Sequence, residues 1–140
     1  MTAENSCFVS HAGVAAARAA RRLPTLKSAG DRELLGELAV LLQLPEHALN
    51  ASLVPKPLRT LTEAHGGDRL RDTLRCFLEH AGSIPRTADT LGIHRTSLYY
   101  RLRQIQEITG LDLDDGAHRL TFHLGLRIEE LLAPGTDGAA

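Results

Sequence analysis

Chemistry in this 140-residue sequence is concentrated between Ser83 and Arg103. That stretch holds Arg86, Arg95, Arg101 and Arg103 against one acid, Asp89, so four positive charges less one negative give +3. The whole chain carries −1, and everything outside the stretch therefore sums to −4. Between Asp89 and Glu107 there is no acidic residue, while His94, Thr96, Ser97, Tyr99 and Tyr100 supply further polar atoms. At about 100° per residue, a helix here sets Thr96, Tyr100, Arg103 and Glu107 opposite Leu98, Leu102, Ile105 and Thr109. A short helix offering Thr, Tyr and Arg on its outer side suits insertion into the major groove of DNA. The blander alternative is a helical hairpin whose arginines are merely solvated. Any two amphipathic helices about a glycine turn share much of this pattern.

Other reactive side chains point to less. Asp112, Asp114 and Asp115 before Gly116 lack the spacing and closing glutamate of a calcium loop; capping of the final helix by Asp114 or Asp115 is the better reading. No two of the seven histidines have the i,i+4 spacing that places two metal ligands on one helical face. His118 and His123, for example, diverge by about 140°. The serines lack the strand-turn-helix setting of a nucleophile elbow. Cys7 and Cys76 match no zinc or redox spacing, so Cys76 reads as a partly buried free thiol. No catalytic residue, metal or cofactor is expected, and the chain reads as a non-enzyme.

The elements that must position the basic stretch are helical throughout. Ser83 is a good N-cap, and Pro85 falls in the first turn, where its missing N–H costs nothing. Ala88 is small where two helices must approach. Gly92 can take the left-handed conformation that closes a helix tightly. Ile93 then turns inward and His94 can cap the next helix. Two short helices, about Ser83–Leu91 and Arg95–Thr109, follow, with Gly110 closing the second. Upstream, Leu70, Leu74, Phe77 and Leu78 form the stripe of a core-facing helix opened by Asp68 and ended by Gly82. Asp31 starts a leucine-rich helix that Pro45 stops. Pro45–Leu53 is expected to form a short helix, Leu58–His65 another closed by Gly66-Gly67, and Ala117–Leu132 the last, before Pro134. No stretch alternates with the period of a strand. The expectation is an all-α bundle of six or seven helices, with Leu74, Phe77, Leu91, Ile93, Leu98, Leu102 and Ile105 in one core.

Composition sets the frame. The length fits one domain with an appendage, and with aromatics at 4% and no Trp the core must be aliphatic. The pI of about 6.6 gives no support to nucleic-acid binding, so the case rests on how charge is distributed. Two distant cysteines argue against a disulfide framework. The amino terminus has Glu4 early and Arg18, Arg21 and Arg22 late, the reverse of a secretory signal. No apolar run approaches a bilayer span. A cytoplasmic protein without membrane contact is expected. The organisation reads as a flexible or partly helical segment over residues 1–30 and a helical dimerisation or linker region over 31–65. A DNA-binding domain over 66–133 and a disordered tail over 134–140 follow.

Three strings carry a resemblance: Leu70 to His80, Thr87 to Leu102, and Ile105 to Asp115. The run His94-Arg95-Thr96-Ser97-Leu98-Tyr99-Tyr100-Arg101-Leu102 is the most specific of them. From about Leu61 to Leu132, roughly half the protein, the chain resembles the C-terminal domain of PucR-type transcriptional regulators, and its helix-turn-helix is similar to the Fis type. The stretch Leu35–Leu61 also resembles the helices preceding that domain. The resemblance implies double-stranded DNA as partner, with His94, Arg95, Thr96 and Tyr100 as base readers. It places Ser83, Arg86, Ser97, Tyr99, Arg101 and Arg103 toward phosphates. Arg95 is the candidate for a bidentate contact to guanine. Tyr99 and Tyr100 stand where the Fis type often has Lys or Arg, so Tyr100 either reads bases or packs. Arg101 lies nearer the core face than Arg103, which leaves phosphate binding and a structural salt bridge both open. A homodimer is expected, its interface in Leu34–Leu44 or in the helix bearing Phe122 and Leu126. Such regulators often carry a large sensory region; the chain is expected to be a fragment or a short member without one. The alternatives are a Fis-like architectural DNA-bending protein and a helical dimerisation or adaptor module.

Overall fold

The computed structural model describes residues 40–133. They fall into two units: Val54–Leu126, and residues 40–53 together with 127–133. Beyond the helical residues Val40 and Leu41, five α-helices lie wholly within them: α1 Lys56–Glu63, α2 Gly67–Glu79, α3 Ile84–Leu91, α4 Arg95–Thr109 and α5 Gly116–Leu132. No strand occurs among the described residues, and the fold is all-α. The expected helix from Asp31, and the segments 1–30 and 134–140, lie largely or wholly outside the described residues.

In the unit Val54–Leu126, α2 packs against α1, α3 and α4, and α4 also meets α1 and α3. The reason is the stripe on α2. Leu70, Leu74, Phe77 and Leu78 are buried, and so are Leu58 and Leu61 of α1 and Leu98, Leu102 and Ile105 of α4. Burying each such side chain contributes about 1.5–3 kcal/mol, so this three-helix seam is a major stabilising feature of the unit. Leu91 and Ile93 are only half-buried, short of the full core position expected for them. They flank the turn at Gly92, which is exposed and has open space beside it.

The α1–α2 junction depends on one close approach. Gly66 takes a left-handed φ of 72°, and a Cβ on Gly67 would sit 2.3 Å from the Leu61 carbonyl oxygen. Only a glycine lets the start of α2 rest on the last turn of α1. This moves the helix start to Gly67, ahead of the expected Asp68.

The short helix expected over Pro45–Leu53 does not form as such; this stretch is a series of turns with one 3-10 turn at Ala51–Leu53. The Asn50 side chain accepts from the Ser52 N–H at 2.9 Å and donates to the His47 carbonyl at 3.0 Å. These local bonds offer the backbone an alternative to the helical ladder.

In α5, Phe122 and Leu126 are buried. A Cβ on Gly125 would meet Leu58 Cδ2 and Pro55 Cδ, both at 2.9 Å, so this part of α5 lies closely against the start of α1. The expected use of Phe122 and Leu126 as a dimer interface is thereby corrected, since they are core residues of their own chain.

Candidate nucleic-acid interface

The basic stretch becomes two helices joined by a tight turn. α3 ends in a Schellman closure, with the Ile93 N–H donating to the Ala88 carbonyl at 3.0 Å and Gly92 N–H to Asp89 at 3.2 Å. Gly92 is left-handed, as its position requires. Ala88 is buried. His94 then returns to extended backbone and occupies the N-cap of α4, but its imidazole makes no capping hydrogen bond. Ser83 likewise sits at the N-cap of α3 without a side-chain cap. Its carbonyl instead accepts the Thr87 hydroxyl at 2.7 Å, and this keeps the buried Thr87 satisfied.

α4 is held by its inner side, where Leu98, Leu102 and Ile105 are buried. With that side fixed, the helical period decides what faces water. His94, Arg95, Thr96, Ser97, Tyr99, Tyr100 and Arg103 are all exposed. Tyr99 and Tyr100 retain 56% and 60% of their surface, high for aromatic residues. Arg86 on α3 is exposed and Ser83 is half-buried. The structure thus brings the candidate base readers and most of the candidate phosphate ligands to the outer side of α4 and the start of α3. Asp89 on α3 and Glu107 near the far end of α4 are the exposed acids of the two helices. The first three turns of α4 keep an acid-free cationic surface.

Arg101 stands apart. It is half-buried on the flank toward α2, and its Nη1 donates to the hydroxyl oxygen of Thr73 at 3.2 Å. Its structural tie is to a neutral hydroxyl, in place of the carboxylate that a salt bridge would need. On the outer side, Gln104 Nε2 donates to the Tyr100 hydroxyl at 3.4 Å, a long contact that leaves the ring in solvent.

Several supports of this surface carry no local sequence signal. His80 Nε2 and Thr90 Oγ1 are 2.8 Å apart and tie the end of α2 to the end of α3. The Leu113 N–H donates to the Gln106 side chain at 2.8 Å and anchors the α4–α5 connector. Arg119 of α5 donates to the Leu113 carbonyl, lies 3.8 Å from Asp114, and stacks 5.3 Å above the Phe77 ring. In that connector Asp115 Oδ1 accepts from the N–H groups of Ala117 at 2.8 Å and His118 at 3.1 Å. It is the expected cap of α5, and these bonds, with the His118 bond first, hold its carboxyl below the usual carboxylate range. Cys76 is a buried free thiol whose Sγ lies 4.0 Å from the Thr87 carbonyl oxygen, and burial pushes its pKa up. Among the described residues no group of three or more His, Cys, Asp or Glu is placed to hold a metal ion. Among them, too, no helix is long and apolar enough to cross a membrane.

Comparison with known proteins finds the same segment. Residues 70–128 match the PucR C-terminal helix-turn-helix domain. A protein from the pkwA 5' region of Thermomonospora curvata is 36% identical over 110 residues, covering 63% of this chain and 61% of that protein. The carbohydrate diacid regulator of Escherichia coli is 33% identical over 110 residues, 79% of this chain and 28% of its own length. The purine catabolism regulatory protein of Bacillus subtilis is 34% identical over 77 residues, 54% of this chain and 14% of its own length. The match thus spans less than two thirds of each of these relatives. No solved structure matches.

Proposed function

We propose, from the match of residues 70–128 to the PucR C-terminal helix-turn-helix domain, that the chain binds double-stranded DNA sequence-specifically and acts as a transcriptional regulator. The observation that carries this reading is the acid-free outer side of α4, exposed from His94 to Arg103 and held rigidly by three buried aliphatic residues. α4 enters the major groove. His94, Arg95, Thr96 and Tyr100 read base edges, and Arg95 makes the bidentate contact to guanine O6 and N7. Ser83, Arg86, Ser97, Tyr99, Arg101 and Arg103 meet phosphates and fix the register of the helix. The protein works by binding, without catalysis, in the cytoplasm.

It acts as a homodimer on two half-sites about one helical turn apart, because one recognition helix reads few bases. With Phe122 and Leu126 buried, the interface is assigned to the leucine-rich segment Leu34–Leu44. The similarity to a carbohydrate diacid regulator of E. coli and a purine catabolism regulatory protein of B. subtilis supports a regulatory role. Fluorescence anisotropy with a promoter duplex and a random duplex tests the reading. A specificity ratio of about a thousandfold or more is expected. A ratio near one would favour an architectural DNA-bending protein, and absence of binding an adaptor module.

A further inference from the structure

Thr73 occupies a position where a hydroxyl is unexpected. It lies in the buried stripe of α2 among Leu70, Leu74 and Phe77 and is wholly inaccessible to solvent. Valine has the same shape and would fill such a site without burying a polar group. Four other threonines of the helices, Thr60, Thr62, Thr87 and Thr121, bond through the hydroxyl only to the carbonyl one turn back. Thr73 makes that bond too, donating to the Arg69 carbonyl at 2.8 Å. Its proton is thereby committed, so its oxygen faces Arg101 as an acceptor, and Arg101 Nη1 donates to it across 28 positions of sequence at 3.2 Å. The hydroxyl is polarised by one bond and strengthens the other.

We propose that Thr73 is a positioning residue for DNA binding: it holds the Arg101 guanidinium in the orientation that meets a backbone phosphate. The proposal rests on the reading of Arg101 as a phosphate ligand given above. A guanidinium has five donors in a rigid fork, and the Thr73 bond uses one of them. The remaining donors of a half-buried, tethered arginine keep a fixed direction, whereas a free arginine gives up rotamer entropy on binding. Thr73, wholly buried, thus contributes to affinity through Arg101 alone.

The test is binding of the full chain to a random-sequence duplex across a salt series, below the unfolding temperature of every variant. Arg101→Ala should reduce the salt slope by about one ion per bound domain. Thr73→Val, which keeps the shape and removes the acceptor, should weaken binding about three- to tenfold. Thr73→Ser, which keeps the hydroxyl and removes a methyl, should bind within about twofold of the parent. The double variant Thr73→Val/Arg101→Ala should bind no more weakly than Arg101→Ala alone. Wild-type binding by Thr73→Val, with the slope still lowered by Arg101→Ala, overturns the positioning role and leaves the phosphate reading intact. An unchanged slope in Arg101→Ala overturns the phosphate reading and the proposal with it. Weaker binding by Thr73→Ser than by Thr73→Val shows that packing, and not the hydroxyl, matters, which also overturns it. Should Thr73→Val fail to fold, Arg101→Lys decides. Lysine keeps the charge and the slope but has no fork to hold both partners, so wild-type affinity there would refute the role.

Discussion

Arg95 and Arg103 share an exposed, acid-free surface, yet they are expected to fail differently on replacement by alanine. Arg95 lies in the first turn of α4, where side chains reach base edges. Its loss should cost about 1–3 kcal/mol on the cognate site and relax preference at one base pair. Arg103 lies two turns further along, where the proposed docking has the helix pass the DNA backbone. Its loss should weaken cognate and random duplexes about equally and lower the salt slope by about one per bound domain. Titration of both duplexes across a salt series checks the pair, and an unchanged specificity ratio in Arg95→Ala would remove Arg95 from the reading surface. Asp115 gives a prediction of another kind. Its folded pKa is depressed by the N–H groups of His118 and Ala117, so its stabilising effect is full above the unfolded carboxylate pKa. The effect is lost as pH falls through the lower folded value. Asp115→Ala should lower Tm at neutral pH and make the acid limb of stability shallower, which thermal melts in the acid range and at neutral pH will measure.

α2 is the element on which the interface is built, and its two ends predict opposite responses. At its start, Gly67→Ala would force a Cβ to within 2.3 Å of the Leu61 carbonyl and 2.5 Å of the Thr62 carbonyl. Both are backbone atoms, so the junction must shift, at a cost of about 1–3 kcal/mol or more. At its end, Ala81 adopts a φ of 52°, the one positive φ outside glycine among the described residues. Left-handed backbone costs a non-glycine residue about 1–2 kcal/mol, whereas the extra freedom of glycine in the unfolded chain costs about 0.4–1 kcal/mol. Ala81→Gly is therefore expected to stabilise the fold by a few tenths to about 1 kcal/mol. Denaturant midpoints for the two variants check both signs. Much of this element was legible beforehand, since the 4-3-1 spacing of Leu70, Leu74, Phe77 and Leu78 identifies the buried side. The exact start was not, because Gly67 is selected by carbonyls of another helix.

At the scale of the whole molecule, net charge and DNA affinity are separate matters. The chain sums to −1 while residues 83–103 carry +3, so binding should depend steeply on salt. Three arginines assigned to phosphates, at about 0.9 ions each, predict a log–log slope of about −3 for one bound domain and about −5 for a dimer. Sedimentation equilibrium at tens of micromolar, read beside that slope, tests the assembly: a monomer with a slope near −3 would end the dimer reading. The turn at Gly92, the limits of α3 and α4 to within a residue, and the outward set on α4 were all determined by the sequence alone. They depend on a 3.6-residue period, on a left-handed glycine and on hydrogen bonds between near neighbours. Which apolar stripes find partners was decided only by the tertiary structure. Phe122 and Leu126 looked like a surplus available to a second copy, and are instead buried in the chain's own core. The Thr73–Arg101 bond and the reach of Arg119 to Phe77 were equally invisible, since each joins residues more than two dozen positions apart. A periodic sequence states which side of a helix avoids water; only packing states what that side meets.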